Sequence, residues 1–138
     1  MSRKLNQVVL IDDNETTSFL NNRLLQRLDL AENILSFTNA EQAFHELWGP
    51  QANAGRIAPE LVFVDLKMPG MDGFEFLNQY SRLAPEVREK TVMTVLTTSM
   101  HSADTSRVAQ YEGVEYLAKP LTEEKMQKLL DKRFTLAN

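Results

Sequence analysis

Five short apolar runs, each followed by a longer segment of helical period, constrain this chain more than any other feature. The runs are "VVLI" at residues 8–11, "NILSF" at 33–37, "LVFVD" at 61–65, "TVMTVLT" at 91–97 and "VEYLA" at 114–118. Strands buried on both faces read as continuous apolar stretches, which is the pattern of a parallel sheet covered by helices on both sides. The segments between them supply those helices. "NETTSFLNNRLLQRLDL" carries Phe19, Leu20, Leu24 and Leu28 at helical spacing, with Asn14 or Thr16 placed to cap its start. Asn39 can cap a second helix running to about Trp48, with Ala43, Phe44 and Leu47 on its apolar face. "MDGFEFLNQYSRL" reads as a third helix and "ADTSRVAQYEG" as a fourth, closed by Gly113. Thr122 can cap a last one, with Glu123 and Glu124 in its first turn and Met126, Leu129 and Leu130 turned to the core. Residues 49–60 hold two glycines and two prolines and read as a loop.

The expectation is therefore five strands and five helices in strict alternation, as one domain over residues 1–138 with a core of about 7–134 and no output domain. A chain of 138 residues is the usual size for one hydrophobic core. The net charge of −4 argues against a phosphate-backbone binder, so nucleic acid is not an expected partner. There is no cysteine, which excludes disulfides, thiolate metal sites and Cys nucleophiles. No apolar run approaches the length needed to cross a membrane or to act as a signal peptide, so a soluble cytoplasmic protein with no membrane partner is expected.

In a parallel α/β sheet the carboxyl ends of all strands share one edge, and ligands bind in the crevice there. Asp12 and Asp13 follow the first strand, Asp65 ends the third, Thr97 and Thr98 end the fourth, and Lys119 follows the fifth. Folding would gather three carboxylates, a hydroxyl and an ammonium at one mouth. Two carboxylates about 4 Å apart repel by about 4 kcal/mol at an effective dielectric near 20. An ammonium offsets part of this, and a hard divalent cation suits such an all-oxygen cluster. With a cation beside it, Asp65 could act as a nucleophile toward phosphorus, the positive charges neutralising the transferring phosphoryl group.

In this order, each at a strand end, "LIDDN", "VFVDLKMPGMDG", "VLTTS" and "YLAKP" resemble the receiver domain of two-component response regulators, and the likeness covers almost the whole chain. The resemblance implies a flavodoxin-like (βα)5 three-layer sandwich with a parallel five-stranded sheet of order 2-1-3-4-5. It implies a stand-alone bacterial response regulator, a phosphoacceptor rather than an enzyme, phosphorylated on Asp65 by a sensor histidine kinase or a histidine phosphotransfer protein. Asp13, Asp65 and the backbone carbonyl of Lys67 would ligate Mg2+, or Mn2+ in its place, with Asp12 acting through water. Lys119 would contact the phosphoryl oxygens and Thr97 would donate its hydroxyl to them; Thr98 stays as the alternative donor because Gly113 lies one residue closer to Lys119 than the family pattern. Tyr116, three before Lys119, matches the aromatic switch position, and Lys67 and Ser99 match positions that modulate the lifetime of the phosphoryl group. The bond before Pro120 is expected to be cis, and Pro69 and Gly73 would shape the loop after Asp65, Gly73 where a side chain would obstruct. The responding surface for an unidentified protein target would be the fourth helix, fifth strand and fifth helix, residues 100 to 133.

Other readings fit less of the chain. A haloacid-dehalogenase-type phosphohydrolase needs a second Asp two residues after its nucleophile, where Asn14 follows Asp12 here, and a cap segment for which there is no room. A flavodoxin-like electron carrier needs a Ser/Thr/Gly-rich phosphate loop after the first strand, which is missing. A phosphorylation-independent binding module would not need every acidic, hydroxyl and lysine position. His45 and His101 have no partner at ligand spacing and read as surface residues; Phe44 and Trp48 read as core, and Met68 and Met71 as loop packing.

Overall fold

A computed structural model describes residues 4–49, 58–98 and 101–134 of the chain. Five strands form one parallel sheet: β1 (Leu5–Ile11), β2 (Ala31–Phe37), β3 (Leu61–Val64), β4 (Val92–Thr97) and β5 (Glu115–Ala118). Their order is β2-β1-β3-β4-β5, the doubly wound arrangement that places a crevice where β1 and β3 diverge to opposite sides. The register pairs Ile11 with Val64, Val64 with Val95, and Thr97 with Ala118, so the strands end together on one edge. β3 and β4 are buried at every residue, whereas the outer strands β2 and β5 are half-buried or exposed. That contrast is why the inner strands read most plainly as apolar runs.

Helices α1 (Glu15–Leu28), α2 (Ala40–Trp48), α3 (Gly73–Ser81), α4 (Pro85–Arg88), α5 (Ser102–Val108) and α6 (Glu123–Arg133) cover the sheet. Alternate strand residues feed two separate cores. Val9, Ile11, Val62, Val64, Met93 and Val95 pack with side chains of α2, α3 and α5. Val8, Leu10, Leu61, Phe63, Val92 and Leu96 pack with Leu25 of α1 and with Met126, Leu129 and Leu130 of α6. The result is the three-layer sandwich expected, and among the described residues no helix is long and apolar enough to cross a membrane.

The caps fall where the side chains place them. Asn14 accepts from the Thr17 amide at 2.9 Å, Asn39 from Gln42 at 2.7 Å, and Thr122 from Lys125 at 3.2 Å. Asp72 and Glu75 form a reciprocal capping box at the start of α3.

Three expectations are corrected. The buried face of α1 is Ser18, Asn21 and Leu25, while Phe19 and Leu20 stand 60% and 57% exposed. Leu24 and Leu28 of the expected stripe do pack, half-buried, against the core, and only its Phe19 and Leu20 end is turned outward. The fourth helix of the sequence reading stops at Val108 and not near Gly113, which instead takes a left-handed φ of 79° in the turn before β5. A sixth helix, the single turn α4, stands between α3 and β4 with Pro85 at its first position, where the missing amide costs nothing. Residues 50–57 of the expected loop lie outside the described residues.

Candidate functional site

β1 delivers Asp12 to the carboxyl edge, and the backbone holds it there: its amide donates to the Phe37 carbonyl at 3.0 Å. β3 delivers Asp65 in the same way, its amide donating to the Ile11 carbonyl at 3.0 Å. Both carboxylates are buried, at 4% and 9% exposure, while Asp13 is exposed beside them. Carboxylate oxygens of Asp12, Asp13 and Asp65 lie within 4.8 Å of one another. Oxygens around a small hard cation at about 2.1 Å lie within about 4.2 Å of each other, so this trio fits the donor set of a divalent metal with little adjustment.

Lys119 is carried to the same mouth by the end of β5, where its amide donates to the Thr97 carbonyl at 2.9 Å. Its ammonium bridges Asp12 Oδ2 at 2.5 Å and Asp65 Oδ2 at 3.0 Å. Burial pulls the Lys119 pKa down, but the hydrogen bonds and charges of Asp12 and Asp65 outweigh it and hold the pKa above its ordinary value. The lysine therefore stays charged and balances one of three carboxylates. Asp12 Oδ1 also accepts from the Asn14 amide at 2.9 Å, and Asp65 Oδ1 accepts from the Lys67 amide at 3.5 Å. The Asn14 amide is a contact that the residue pattern did not single out; an Asx turn after Asp12 was its signal.

Thr97, the last residue of β4, is 1% exposed, and Thr98 after it is exposed. Tyr116 lies in β5, opposite Val95 in register, half-buried against the core beneath α2, α3 and α5. Lys67 is exposed at the rim, and Ser99 lies outside the described residues. The Lys119–Pro120 bond is cis. Gly73 sits so close to the end of β3 that a Cβ there would collide with the Asp65 carbonyl oxygen and come within 2.6 Å of Leu66 Cα, so the helix start needs a glycine. Gly70, with φ 73°, supplies a left-handed turn in the same loop. His45 and His101 are exposed. Trp48 and Phe44 are half-buried and pack on each other and on Phe76.

One further residue bears on Lys119. Lys125 Nζ donates to the carbonyls of Ala118 at 2.5 Å and Pro120 at 2.9 Å, the two that flank Lys119. The sequence signal was available: Lys125 is the third residue of α6, where a capping box takes Glu or Gln and the helix dipole disfavours a cation. Two open clefts among the described residues, sharing Glu89 and Arg133, have none of these carboxylates in their lining.

Comparison with known proteins agrees with this fold. The family model for the response regulator receiver domain matches residues 8–131. The "Probable methanogenesis regulatory protein FilR2" of Methanothrix harundinacea is 30% identical over 124 residues, covering 90% of this chain and 78% of that protein. The "Probable C4-dicarboxylate response regulator DctR" of Priestia megaterium is 27% identical, and the match spans 95% of this chain but only 53% of the relative's length. A crystal structure of a two-component response regulator from Cytophaga hutchinsonii superposes with a TM-score of 0.81 at 29% identity, covering 95% of this chain and 98% of that one. A buried pair of strand-end aspartates bridged by a strand-end lysine, on a sheet of order 2-1-3-4-5, thus has its place in a known family, and this chain belongs to the response regulator receiver domains.

Proposed function

We propose that this receiver domain is a phosphorylation switch in which Asp65 accepts a phosphoryl group from the phosphohistidine of a sensor histidine kinase or a histidine phosphotransfer protein. The observation that carries the reading is the Lys119 ammonium held between Asp12 and Asp65, with a third carboxylate, Asp13, within reach. An Asp65 oxygen attacks phosphorus, a P–O bond forms as the donor's P–N bond breaks, and the imidazole leaves. Lys119 is placed to follow the phosphoryl oxygens, and the Thr97 hydroxyl at the end of β4 is the donor that turns to them. Asp13, Asp65 and the Lys67 carbonyl would hold Mg2+, with Asp12 acting through water. The cation would supply charge neutralisation on the phosphoryl group.

Phosphorylation then biases a two-state equilibrium, because the new charge is satisfied by Thr97 and Lys119 in one arrangement only. Tyr116 reports that arrangement to the surface of α5, β5 and α6, where a protein target binds. Lys67 and Ser99 modulate the lifetime of the phosphoryl group. The reaction is self-assisted phosphoacceptance and loss, and it belongs in the cytoplasm with the kinase.

Incubation with Mg2+ and acetyl phosphate, followed by intact mass measurement, tests the reading. One added phosphoryl group that requires the metal and is lost in Asp65→Asn is the expected result. A folded protein that takes no phosphoryl group would instead be a phosphorylation-independent binding module.

A further inference from the structure

We infer that Lys125 is a positioning residue for Lys119: its ammonium clamps the turn that carries Lys119 and so fixes where the Lys119 side chain starts. The inference deepens the phosphoacceptor reading in its kinetic part and rests on that reading there.

Lys119 leaves the sheet at its last hydrogen bond, from its own amide to the Thr97 carbonyl. Between that bond and the Thr122 cap of α6, Leu121 enters the core that packs against the sheet, and Lys125 spans the same turn to the carbonyls on either side of Lys119. Its amide donates to the Thr122 side chain at 3.2 Å, and its ammonium donates backward to Ala118 O and Pro120 O, on either side of Lys119. Ammonium bonds to carbonyls are charge-assisted, and one ammonium shared by two carbonyls two residues apart fixes their separation. The third position of a helix is otherwise a poor place for a cation, since the helix N-terminus carries partial positive charge and Glu123 and Glu124 precede it on the favoured side. The two carbonyls offset that cost, which gives this lysine a local reason to be where it is. Lys119 is long and flexible, and its ammonium meets both Asp12 and Asp65 only if its Cα is held in place.

The first experiment does not depend on phosphorylation. In protein labelled with 15N-lysine, the ammonium of Lys119, assigned by its loss in Lys119→Ala, gives a proton–nitrogen correlation whose exchange with water can be timed. In Lys125→Met that exchange is expected to accelerate at least about threefold, because the ion-pair bonds open more often. Unchanged exchange in a folded Lys125→Met overturns the inference.

The second experiment times phosphoryl incorporation at Asp65 from acetyl phosphate with saturating Mg2+. Lys125→Met is expected to slow it about three- to tenfold, the scale of one ordinary net hydrogen bond. Lys125→Arg, which keeps the donors, is expected to recover at least half of the rate, and an arginine variant as slow as Lys125→Met counts against the clamp. In a Lys119→Ala background, Lys125→Met should change the residual rate less than about twofold. An equal fold-loss in both backgrounds would mean that Lys125 acts on the fold and not through Lys119, and would overturn the inference. A wild-type chain that takes no phosphoryl group refutes the phosphoacceptor reading alone, since the exchange experiment still decides the role of Lys125.

Discussion

The helices before and after β5 are held in unlike ways. α6 starts at a satisfied Thr122 cap, buries Met126, Leu129 and Leu130, and ends with Lys132 and Arg133 bound to Glu115 of β5 at 2.9 and 2.7 Å. Arg133 donates as well to the Gly113 carbonyl at 2.8 Å. α5 starts at His101 with no side-chain cap bond and buries Val108 alone among its seven residues. Arg107 adds an anchor, its guanidinium carbon standing 3.8 Å over the centre of the Phe74 ring on α3. Each fully buried apolar side chain contributes roughly 1.5–3 kcal/mol, so the three-to-one difference places α6 near the stable end of the molecule and α5 near the mobile end. Under the proposed function, a phosphorylation-driven shift at this surface would fall to α5, with α6 as the frame against which it moves.

The largest expected effect is at Leu129. Leu129→Ala empties a 3%-exposed site and should cost about 2–5 kcal/mol in denaturant unfolding, whereas Val108→Ala, removing less from α5, should cost about 2 kcal/mol or less. Equal costs would break the comparison.

Next is Glu115. Burial raises its pKa, but the Lys132 and Arg133 hydrogen bonds and charges lower it more, and the net is below the ordinary 4.5. A carboxylate with a lowered folded-state pKa contributes stability that is present above its unfolded value and is lost as pH falls through the folded one. Glu115→Gln should thus be less stable than wild type at pH 7, by about 1 kcal/mol or less at this partly exposed pair, and the gap should close as pH drops below 4.5. Denaturant midpoints at several pH values read this directly; a gap independent of pH would remove the ion pairs from the account of α6.

The smallest effect is at the stacked arginine. Arg107→Gln should remove about 0.5–1 kcal/mol and speed amide exchange in α5 about two- to fivefold, leaving α6 unchanged. Phe74→Leu should speed exchange in α5 likewise while adding a core-packing cost of its own, and Arg107→Gln should add little further in that background.

The sequence was most readable where one physical demand acted alone. Asp12, Asp65, Thr97 and Lys119 each interrupt or follow an apolar run, and a parallel sheet has only one edge to which such residues can go. α1 was misread because two demands competed. Close to the crowded end of β1 the helix turns small polar residues inward, with Ser18 Oγ reaching the Asp12 carbonyl at 3.5 Å, and leaves Phe19 and Leu20 outside. Side-chain size alone points the other way. α4 was missed because one turn has no periodicity to detect, and the end of α5 because Gly113 marks a turn between elements and not the helix end itself. Lys125 was missed because its partners are backbone carbonyls, which carry no residue identity.

At Gly73 the pocket is defined by an absence of atoms. A single methyl group there would have to push the start of α3 away from the Asp65 and Leu66 backbone, yet it would leave every carboxylate, hydroxyl and ammonium of the mouth chemically intact. Gly73→Ala is thus a shape-only lesion, a counterpart to Asp65→Asn, which removes a charge and spares the contour. A partner that binds one variant and rejects the other would reveal whether it reads this domain by its electrostatics or by its outline.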